Sequence, residues 1–428
     1  MTRLLKPLSK VSSTPYTANI PGSKSFTNRA LVIAAQRMGT TIVTNALHAQ
    51  DTDLLAQCLG QFGGLETEKT ATGYRVTRTL ETLKAPAEEL YVGGAGTPTR
   101  FLLSFASMAE GETIVTGNPR LCERPMGDIL NTFDKIGVRY ECLKTKGCVP
   151  VKVTGSRPTT REWPIDGGVS SQFVSSLLIL AAQQSEPVTV TVTDNLVSRP
   201  YVMMTVQMMR KCGIEVAEIG SNAWTVTPGQ ANVDEIPVET DASGMSYFLA
   251  AAALTQSTVI IPKIGKNSPQ GDVGFARVLE QMGCLVTFNE DSIEIEGRPL
   301  QGIEVDMEIM PDVVLTLATT AAHAKGSTRV TNIANLRVKE CDRIAAPVTE
   351  LQRLGVGAEE GPDWLAVHPT GSVAPGKIHT YDDHRVAMSF ALLGLLSPGI
   401  EIEDPECVGK SFPTFWQELE RFYAHHEG

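Results

Sequence analysis

The segment Thr41–Asn45 reads TIVTN, and Thr113–Gly117 repeats it almost letter for letter as TIVTG. Short runs rich in β-branched residues are typical of strands. Similar runs recur along the chain at starting positions that are 72, 75, 70, 70 and 72 residues apart. The other four are Val188–Thr193, Thr258–Pro262, Thr328–Asn332 and Ile400–Asp404. This even period predicts one supersecondary unit that occurs six times.

Each predicted strand lies between two helical patterns. An Ala- and Leu-rich run precedes it, and an amphipathic run such as Ile344–Glu359 follows it with apolar residues at helical spacing. A further β-branched segment, for example Ser292–Glu296, closes the repeat. We therefore predict an α/β protein whose repeat is helix, strand, helix, strand, strand.

The two ends of the chain suggest how the repeats divide into domains. The sixth repeat stops after its second helix, Phe415–Tyr423, and the segment Thr14–Ile20 has no place in any other repeat. We interpret Thr14–Ile20 as the part that the sixth repeat lacks. Three repeats per domain then predict a continuous domain of residues 22–240 and a discontinuous domain of residues 1–21 plus 241–428. The alternative is an open solenoid of six stacked repeats, which this joining of the ends disfavours.

Unusual residues occur where the first helix of each repeat is expected to begin. Ser, Thr, Asp and Gly are frequent there, as in helix caps. Capping does not explain the cations at these positions, because a positive charge at a helix N-terminus opposes the helix dipole. Phosphates do bind there, and Lys or Arg strengthens the binding. The cations are Lys24, Arg29, Arg100, His384 and Arg385, and a second set after the middle strands includes Arg124, Arg343 and Lys410.

Composition limits the partners and the compartment. The net charge of −11 argues against nucleic acid or an anionic membrane as the main partner. Eight cysteines without any C-x-x-C pair indicate reduced thiols in a cytoplasmic protein. The acid-free start, with Arg3, Lys6 and Lys10, slightly resembles a transit peptide, but a motif that begins at Pro21 leaves little to remove. We expect a cytoplasmic protein that has no nucleic-acid or membrane partner.

Eight strings occur in one order at the repeat junctions: PGSKSFTNRA (21–30), GGAGTPTR (93–100), ERPMGD (123–128), SSQF (170–173), DASGMSYFLAAAAL (241–254), NLRVKECDR (335–343), DDHRVAM (382–388) and GKSFP (409–413). With them the sequence resembles the 5-enolpyruvylshikimate-3-phosphate synthase family over nearly its whole length. The resemblance implies an α/β fold of two domains. Each domain would have three βαβαββ units around a pseudo-threefold axis, and the active site would lie in the cleft between the domains.

The resemblance also implies a reaction. The enolpyruvyl group of phosphoenolpyruvate is transferred to the 5-hydroxyl of shikimate 3-phosphate, and phosphate is released. The hydroxyl must lose a proton as it attacks C2, while C3 gains a proton and later returns one. In the family this needs no metal and no cofactor, and the enzyme is a monomer.

Residue roles follow by position from the same resemblance. Asp312 would be the base for the hydroxyl and Glu340 the acid for C3, and Lys24 would share in proton transfer. Arg100 and His384 would have supporting roles. The implied shikimate 3-phosphate contacts are Lys24, Ser25, Arg29, Ser170, Ser171, Gln172, Ser198, Asp312, Asn335 and Lys339. The implied phosphoenolpyruvate contacts are Lys24, Gly96, Arg124, Gln172, Arg343, Arg385 and Lys410.

Several of these residues also have an ordinary structural interpretation. Asp312 follows a proline and could simply cap a helix. Glu340 could be a surface ion-pair partner that contributes little. Ser170 and Ser171 could both be caps.

Two other functions remain open at this stage. A related enolpyruvyl transferase acts on UDP-N-acetylglucosamine, but it carries its reactive cysteine several residues before an Arg-Pro pair, whereas Cys122 lies only two residues before Arg124. A non-catalytic anion-binding homologue would not need both Asp312 and Glu340.

The sequence also departs from the family pattern, so a variant acceptor is possible. Gly94 replaces the usual Asn, Phe101 replaces a Pro, and the usual acidic pair is reduced to Gln50–Asp51. Because the herbicide glyphosate occupies the phosphoenolpyruvate site in that family, Gly94 and Phe101 are expected to alter its inhibition.

Overall fold

Small β-sheets, six of them within residues 2–428, organise the part of the chain that the computed structural model describes. They divide equally between two units. Residues 22–238 form the continuous unit, and residues 2–21 with 239–428 form the discontinuous unit. Each unit has its own apolar core, built from its helices and the inner faces of its sheets.

The chain begins in the discontinuous unit with β1 (Thr2–Leu4) and β2 (Tyr16–Thr17) and then enters the continuous unit. The elements of the continuous unit are α1 (Lys24–Gln36), β3 (Gly39–Thr44), α2 (Gln50–Gly60), β4 (Leu65–Thr70), β5 (Gly73–Arg78), β6 (Leu90–Tyr91), α3 (Gly96–Ala106), β7 (Glu112–Thr116), α4 (Gly127–Ile136), β8 (Arg139–Cys142), β9 (Val151–Thr154), β10 (Glu162–Ile165), α5 (Ser171–Ala181), β11 (Val188–Val192), α6 (Arg199–Lys211), β12 (Val216–Ile219), β13 (Ala223–Val226) and β14 (Glu235–Pro237).

The chain then returns to the discontinuous unit. Its remaining elements are α7 (Ala242–Thr255), β15 (Thr258–Pro262), α8 (Gly274–Gln281), β16 (Leu285–Phe288), β17 (Ser292–Glu296), β18 (Glu304–Asp306), α9 (Val314–Ala321), β19 (Thr328–Thr331), α10 (Ala345–Arg353), β20 (Gly357–Gly361), β21 (Trp364–His368), β22 (Gly376–Ile378), α11 (His384–Ala391), β23 (Ile400–Glu403) and α12 (Phe415–Glu427).

Five of the sheets share one strand order, which confirms the predicted repeat. A short leading strand runs parallel to the middle strand, and two further strands continue the sheet in antiparallel fashion. The orders are β14-β3-β5-β4, β6-β7-β9-β8, β10-β11-β13-β12, β2-β15-β17-β16 and β18-β19-β21-β20. With the leading strand included, the repeat is βαβαββ, as the resemblance implied, and the α/β fold class is confirmed.

The sixth sheet corrects one prediction. It contains three strands in the order β1-β23-β22, and β1 pairs antiparallel with β23. The segment Thr14–Ile20 does not complete this sheet, because its strand β2 pairs in parallel with β15 in the fourth repeat. The three residues Thr2–Leu4 take that place instead, and a segment this short carries too little alternation to be recognised as a strand.

Leading strands also mark the two points where the chain crosses between units. β2 lies just before the first crossing and closes the sheet of β15, while β14 lies just before the second crossing and closes the sheet of β3. Each unit therefore completes its first sheet with a strand from a distant part of the sequence.

The first helix of each repeat lies inside its unit. Every residue of α7 is buried, which its Ala-rich sequence allows because small side chains let neighbouring helices approach closely. α7 packs against α9, and α9 packs against α11; α1, α3 and α5 pack in the same way in the continuous unit. Among residues 2–428, no helix combines the length and apolar character needed to cross a membrane.

Side-chain caps at these buried helices follow the prediction. The side chains of Ser23, Ser170, Asp241 and Asp383 accept hydrogen bonds from the first backbone N–H groups of α1, α5, α7 and α11. Caps satisfy donors that would otherwise lack partners at a helix end. The capped ends carry the residues discussed next.

Candidate active site

Arg343 is the centre of a charged cluster in the discontinuous unit. It lies just before α10, and only 2% of its side chain is exposed. Nε and Nη2 donate to the two carboxylate oxygens of Asp383 at 2.7 and 3.0 Å. Nη1 lies 3.3 Å from Oδ1 of Asp312, and Nη2 lies 2.9 Å from Oε2 of Glu340. One guanidinium group therefore holds three carboxylates that come from three segments.

The electrostatic balance at Arg343 favours its charged form. Burial works to lower the pKa of Arg343, but the carboxylates of Asp383, Glu340 and Asp312 outweigh that effect and raise the pKa. A buried guanidinium surrounded in this way is a fixed positive charge.

Asp312 and Glu340 each bind a second cation besides Arg343. Oδ2 of Asp312 accepts from Nη2 of Arg385 at 2.9 Å, and Oε1 of Glu340 lies 3.3 Å from Nζ of Lys410. Their side chains stay 22% and 15% exposed, so both carboxylates lie at the edge of the cluster where a ligand can reach them.

The ordinary interpretations of these two residues do not match the structure. The start of α9 receives no side-chain cap, so Asp312 does not cap that helix. Glu340 is mostly buried between Arg343 and Lys410, unlike an exposed surface ion-pair partner.

The other predicted residues of this unit lie close to the cluster in sequence. Asn335 and Lys339 are half-buried, in and just after the 3-10 turn Ala334–Val338 that leads to Arg343. His384 is fully buried, and its Nδ1 lies 3.7 Å from Oδ1 of Asp383.

In the continuous unit, Lys24 and Arg29 lie on the same helix in different environments. Lys24 is the first residue of α1, and its Nζ lies 3.4 Å from Oδ2 of Asp51. Arg29 is 1% exposed and donates to the hydroxyls of Thr205 and Ser175 and to the backbone oxygens of Ser25 and Tyr201. Burial lowers the pKa of Arg29 to about 10. In this structure Arg29 ties α1 to α5 and α6, and its predicted contact with substrate stays a prediction.

Arg124 lies against the N-terminus of α3. A Cβ atom added to Gly96, the first residue of that helix, would stand 2.7 Å from Nη1 of Arg124. Only glycine leaves room for the guanidinium at this distance. Because free N–H groups and a cation meet here, this end of α3 is suited to a phosphate or carboxylate group.

A second contact joins α3 to α5. Nη1 of Arg100 donates to Oε1 of Gln172, and the guanidinium lies 4.9 Å from the centre of the Phe173 ring. Arg100 thus contacts the side chain of Gln172, a predicted substrate contact, and its supporting role stays a prediction.

The serines of the continuous unit differ in their roles. Ser170 caps α5 by accepting from the N–H of Gln172 at 3.3 Å, so its structural interpretation is correct. Ser171 is the first residue of α5 and is 4% exposed. Ser198 precedes α6, and its backbone has the left-handed conformation, with φ of 53°. A strained residue of this kind is frequent at functional sites.

Asp383 is the residue that sequence reasoning missed. It lies in the string at residues 382–388, where the sequence predicts only that the Asp residues cap a helix. It does cap α11 through the N–H of Arg385, and it also binds Arg343 with both oxygens. A helix cap requires only one acid, but two adjacent acids precede the His-Arg pair. The second acid was the sequence signal that could have indicated a further role.

The departure at Gly94 leads to a test of the loop before α3. The φ of Gly94 is not in the left-handed region, and a Cβ there would lie 3.1 Å from Nδ2 of Asn118, a movable side-chain end. Gly94→Asn is therefore expected to fold and to add an amide donor beside the end of α3 that is suited to an anion. A hydrogen bond to a charged group contributes about 1.5–3 kcal/mol, so the KM for phosphoenolpyruvate should fall about tenfold or more. Glyphosate inhibition should tighten in parallel.

The matched control is Gly229→Asn, because a side chain at Gly229 meets open space. Steady-state kinetics of both variants and of the wild type measure the effect. If the KM and the glyphosate inhibition constant of Gly94→Asn equal those of Gly229→Asn, the loop difference has no effect on binding.

Comparison with known proteins first defines the class of fold. The enolpyruvyl transferase NikO from Streptomyces tendae superposes with a TM-score of 0.76, covering 98% of this chain and 97% of that chain, at 16% identity. At this identity the likeness shows the fold alone. EPSP synthase from Acinetobacter baumannii superposes with a TM-score of 0.82 at 28% identity, again covering 98% of this chain and 97% of that one.

The sequence comparisons then define the family. The profile of the EPSP synthase (3-phosphoshikimate 1-carboxyvinyltransferase) family matches residues 9–419. The 3-phosphoshikimate 1-carboxyvinyltransferase of Vibrio atlanticus is 39% identical over 97% of this chain and 98% of its own length. The 3-phosphoshikimate 1-carboxyvinyltransferase of Sulfurovum sp. is 38% identical over 98% of this chain and 99% of its own length. The chain belongs to the EPSP synthase family.

Proposed function

We propose that this chain transfers the enolpyruvyl group of phosphoenolpyruvate to the 5-hydroxyl of shikimate 3-phosphate and releases phosphate. Its family membership supports the reaction, and the relatives it matches over nearly their whole length carry the corresponding enzyme name. The observation that carries the proposal is the arrangement of Asp312 and Glu340. Two accessible carboxylates share Arg343, and each has a further cation of its own.

This arrangement supplies an acid and a base next to anion-binding groups. Asp312 takes the proton of the attacking hydroxyl, and Glu340 gives a proton to C3. The negatively charged groups of phosphoenolpyruvate compete with Asp312 for Arg385 and with Glu340 for Lys410. Because a carboxylate that loses a cationic partner becomes more basic, substrate binding itself prepares both groups for proton transfer.

Residues of the continuous unit are proposed to hold the remaining parts of the substrates. The 3-phosphate is bound by hydroxyl and amine groups at the starts of α1 and α5, among them Lys24, Ser25 and Ser171. Gly96 and Arg124 bind a charged group of phosphoenolpyruvate. Fixing the reacting atoms in place and neutralising developing charge are the expected main sources of rate enhancement. We further propose that the enzyme acts as a monomer in the cytoplasm.

Phosphate release tests the function directly. The purified chain with phosphoenolpyruvate and shikimate 3-phosphate is expected to release phosphate at a rate that saturates in both substrates. UDP-N-acetylglucosamine in place of shikimate 3-phosphate should give no release above background. Turnover with the UDP-sugar alone would favour the related transferase, and no turnover with either acceptor would favour a non-catalytic homologue.

Ser171 provides a test of the proposed shikimate 3-phosphate site. Ser171→Ala removes one hydrogen bond to a charged phosphate, a loss of about 1.5–3 kcal/mol, so the KM for shikimate 3-phosphate should rise about ten- to a hundredfold. The KM for phosphoenolpyruvate should change little. The control is Ser176→Ala on the same helix, whose buried hydroxyl bonds Ser104 and the backbone oxygen of Phe173. Equal damage to both substrates would contradict the assigned site.

Glu340→Gln separates the acid from the base. The variant should slow the exchange of the C3 protons of phosphoenolpyruvate with solvent, because the amide cannot deliver a proton. Isotope incorporation at C3 in deuterated water, followed by NMR during turnover, measures this. Exchange at the wild-type rate would assign the acid to another residue.

A further inference from the structure

The string DASGMSY at the start of α7 has no function in the proposed mechanism, yet it contacts the site. Ser243 donates through Oγ to Oδ2 of Asp272. The same Oγ accepts from Nη2 of Arg385 at 3.4 Å, and this Nη2 donates to Oδ2 of Asp312 at 2.9 Å. A continuous hydrogen-bonded chain therefore runs from Asp272 through Ser243 and Arg385 to the proposed base.

Asp272 is held rigidly at the far end of this chain. It lies in the 3-10 turn Gly271–Val273 before α8 and is 3% exposed. The preceding Gln270 accepts from the N–H of Ala242 at 3.1 Å and donates to the backbone oxygen of Thr240 at 2.8 Å. These bonds fasten the turn to the beginning of α7, so Asp272 and Ser243 keep a fixed separation.

A carboxyl group at this position is unfavourable for folding. Burial and the charge of Asp312 raise the pKa of Asp272 to about 7, whereas the bond from Ser243 and the charge of Arg385 lower it. Asp241 is a further acid that opposes ionisation of Asp272. An apolar residue would avoid the cost of burying the carboxyl group. Its position beside the base points to a role in the reaction.

We propose that Asp272 is a positioning residue: through Ser243 it holds the guanidinium of Arg385 in the orientation that binds Asp312 in the free enzyme and phosphoenolpyruvate when the substrate is present. This inference rests on the proposed function. Nη2 of Arg385 donates to both Ser243 and Asp312, so the position of Ser243 helps to set the direction of this guanidinium nitrogen. Loss of either member of the Asp272–Ser243 pair lets the guanidinium rotate away from the geometry that binds substrate.

Three variants test the proposal by steady-state kinetics. Asp272→Asn removes the charge while keeping the shape, Ser243→Ala removes the bridging hydroxyl, and the third variant combines both. Each single change is expected to raise the KM for phosphoenolpyruvate and lower kcat, with kcat/KM falling about tenfold or more. The KM for shikimate 3-phosphate should stay within about twofold of wild type. Because both residues act through one bridge, the double variant should be no worse than the more damaging single variant.

Ser246→Ala is the matched control. It lies one turn further along α7 and is also buried. Its hydroxyl bonds the backbone oxygen of Ser243 and the hydroxyl of Thr316. Its kinetics should match wild type, although its melting temperature is expected to fall by a similar amount. If the two single effects multiply in the double variant, or if both KM values rise together, the residues act separately or only through stability, and the proposal is overturned.

The outcomes also separate this inference from the proposed function. If the wild type turns over both substrates and Asp272→Asn has wild-type constants, only the positioning role fails. If the wild type shows no turnover, the proposed function is wrong. Titration of the wild type and the variants with phosphoenolpyruvate then tests the positioning role by itself. Unchanged affinity in the variants would overturn that role as well. Should Asp272→Asn not fold by circular dichroism, Ser243→Ala alone decides, since a wild-type KM for phosphoenolpyruvate in that variant refutes the bridge.

Discussion

Asp312→Asn is expected to lower kcat by about two to four powers of ten while leaving the fold intact, the range usual for loss of a general base. The amide has nearly the same shape as the carboxylate. It keeps one acceptor oxygen, so it can accept from only one of Arg343 and Arg385, and it cannot take up the proton of the attacking hydroxyl. Arg343 keeps Asp383 and Glu340, so its charge remains compensated. Phosphate release measures kcat, and titration with shikimate 3-phosphate checks that binding is retained.

The control for this variant is Asp306→Asn in the same repeat. Asp306 is exposed on β18 and accepts from Asn332 and from the N–H of Glu308. This variant should keep wild-type activity. If Asp312→Asn retains activity close to that of Asp306→Asn, Asp312 has no part in proton transfer.

Arg343→Met is expected to cause the largest loss of stability. Methionine fills most of the volume but leaves the fully buried carboxylate of Asp383 without the guanidinium that binds it with two hydrogen bonds. Removing one partner of a buried ion pair usually costs about 3–5 kcal/mol. Urea unfolding should show this as a lower midpoint for the discontinuous unit, together with loss of activity.

Arg75→Met is the corresponding surface change. Arg75 pairs with Glu68 on the neighbouring strand, and both side chains are largely exposed. Exposed pairs contribute about 0–1 kcal/mol, so the midpoint should barely move. Equal losses in the two variants would mean that the Arg343 cluster has no special part in stability.

The repeat could be predicted from the sequence because the middle strands are its most β-branched segments. The leading strands could not, since β2 and β6 have two residues each and leave no pattern. The prediction that Thr14–Ile20 completes the sixth repeat was wrong for the same reason. Pairing between β2 and β15 depends on tertiary proximity across more than two hundred residues, which local periodicity does not encode.

Candidate site residues could be predicted from the sequence where their charge is unfavourable for the predicted local structure. Cations at helix N-termini pointed to anions, and this argument led to Lys24, Arg100 and Arg385. Groups with an adequate local role were overlooked, because the Ser and Asp residues of the junctions, Asp383 and Ser243 among them, were explained as helix caps. Their second contacts, to Arg343 and Asp272, depend on how separate repeats pack together.

The pairing of β1 and β2 with strands from the far part of the chain has a consequence for synthesis on the ribosome. Residues 22–238 emerge consecutively, so the continuous unit can fold while translation proceeds. Residues 2–21 emerge first but must wait, because the partners of β1 and β2 are β23 and β15, which are made much later. Non-local pairing of this kind slows folding. A permuted chain in which residue 428 is joined to residue 2 and translation starts at residue 239 would let each unit be completed in a single pass, and we expect it to refold faster.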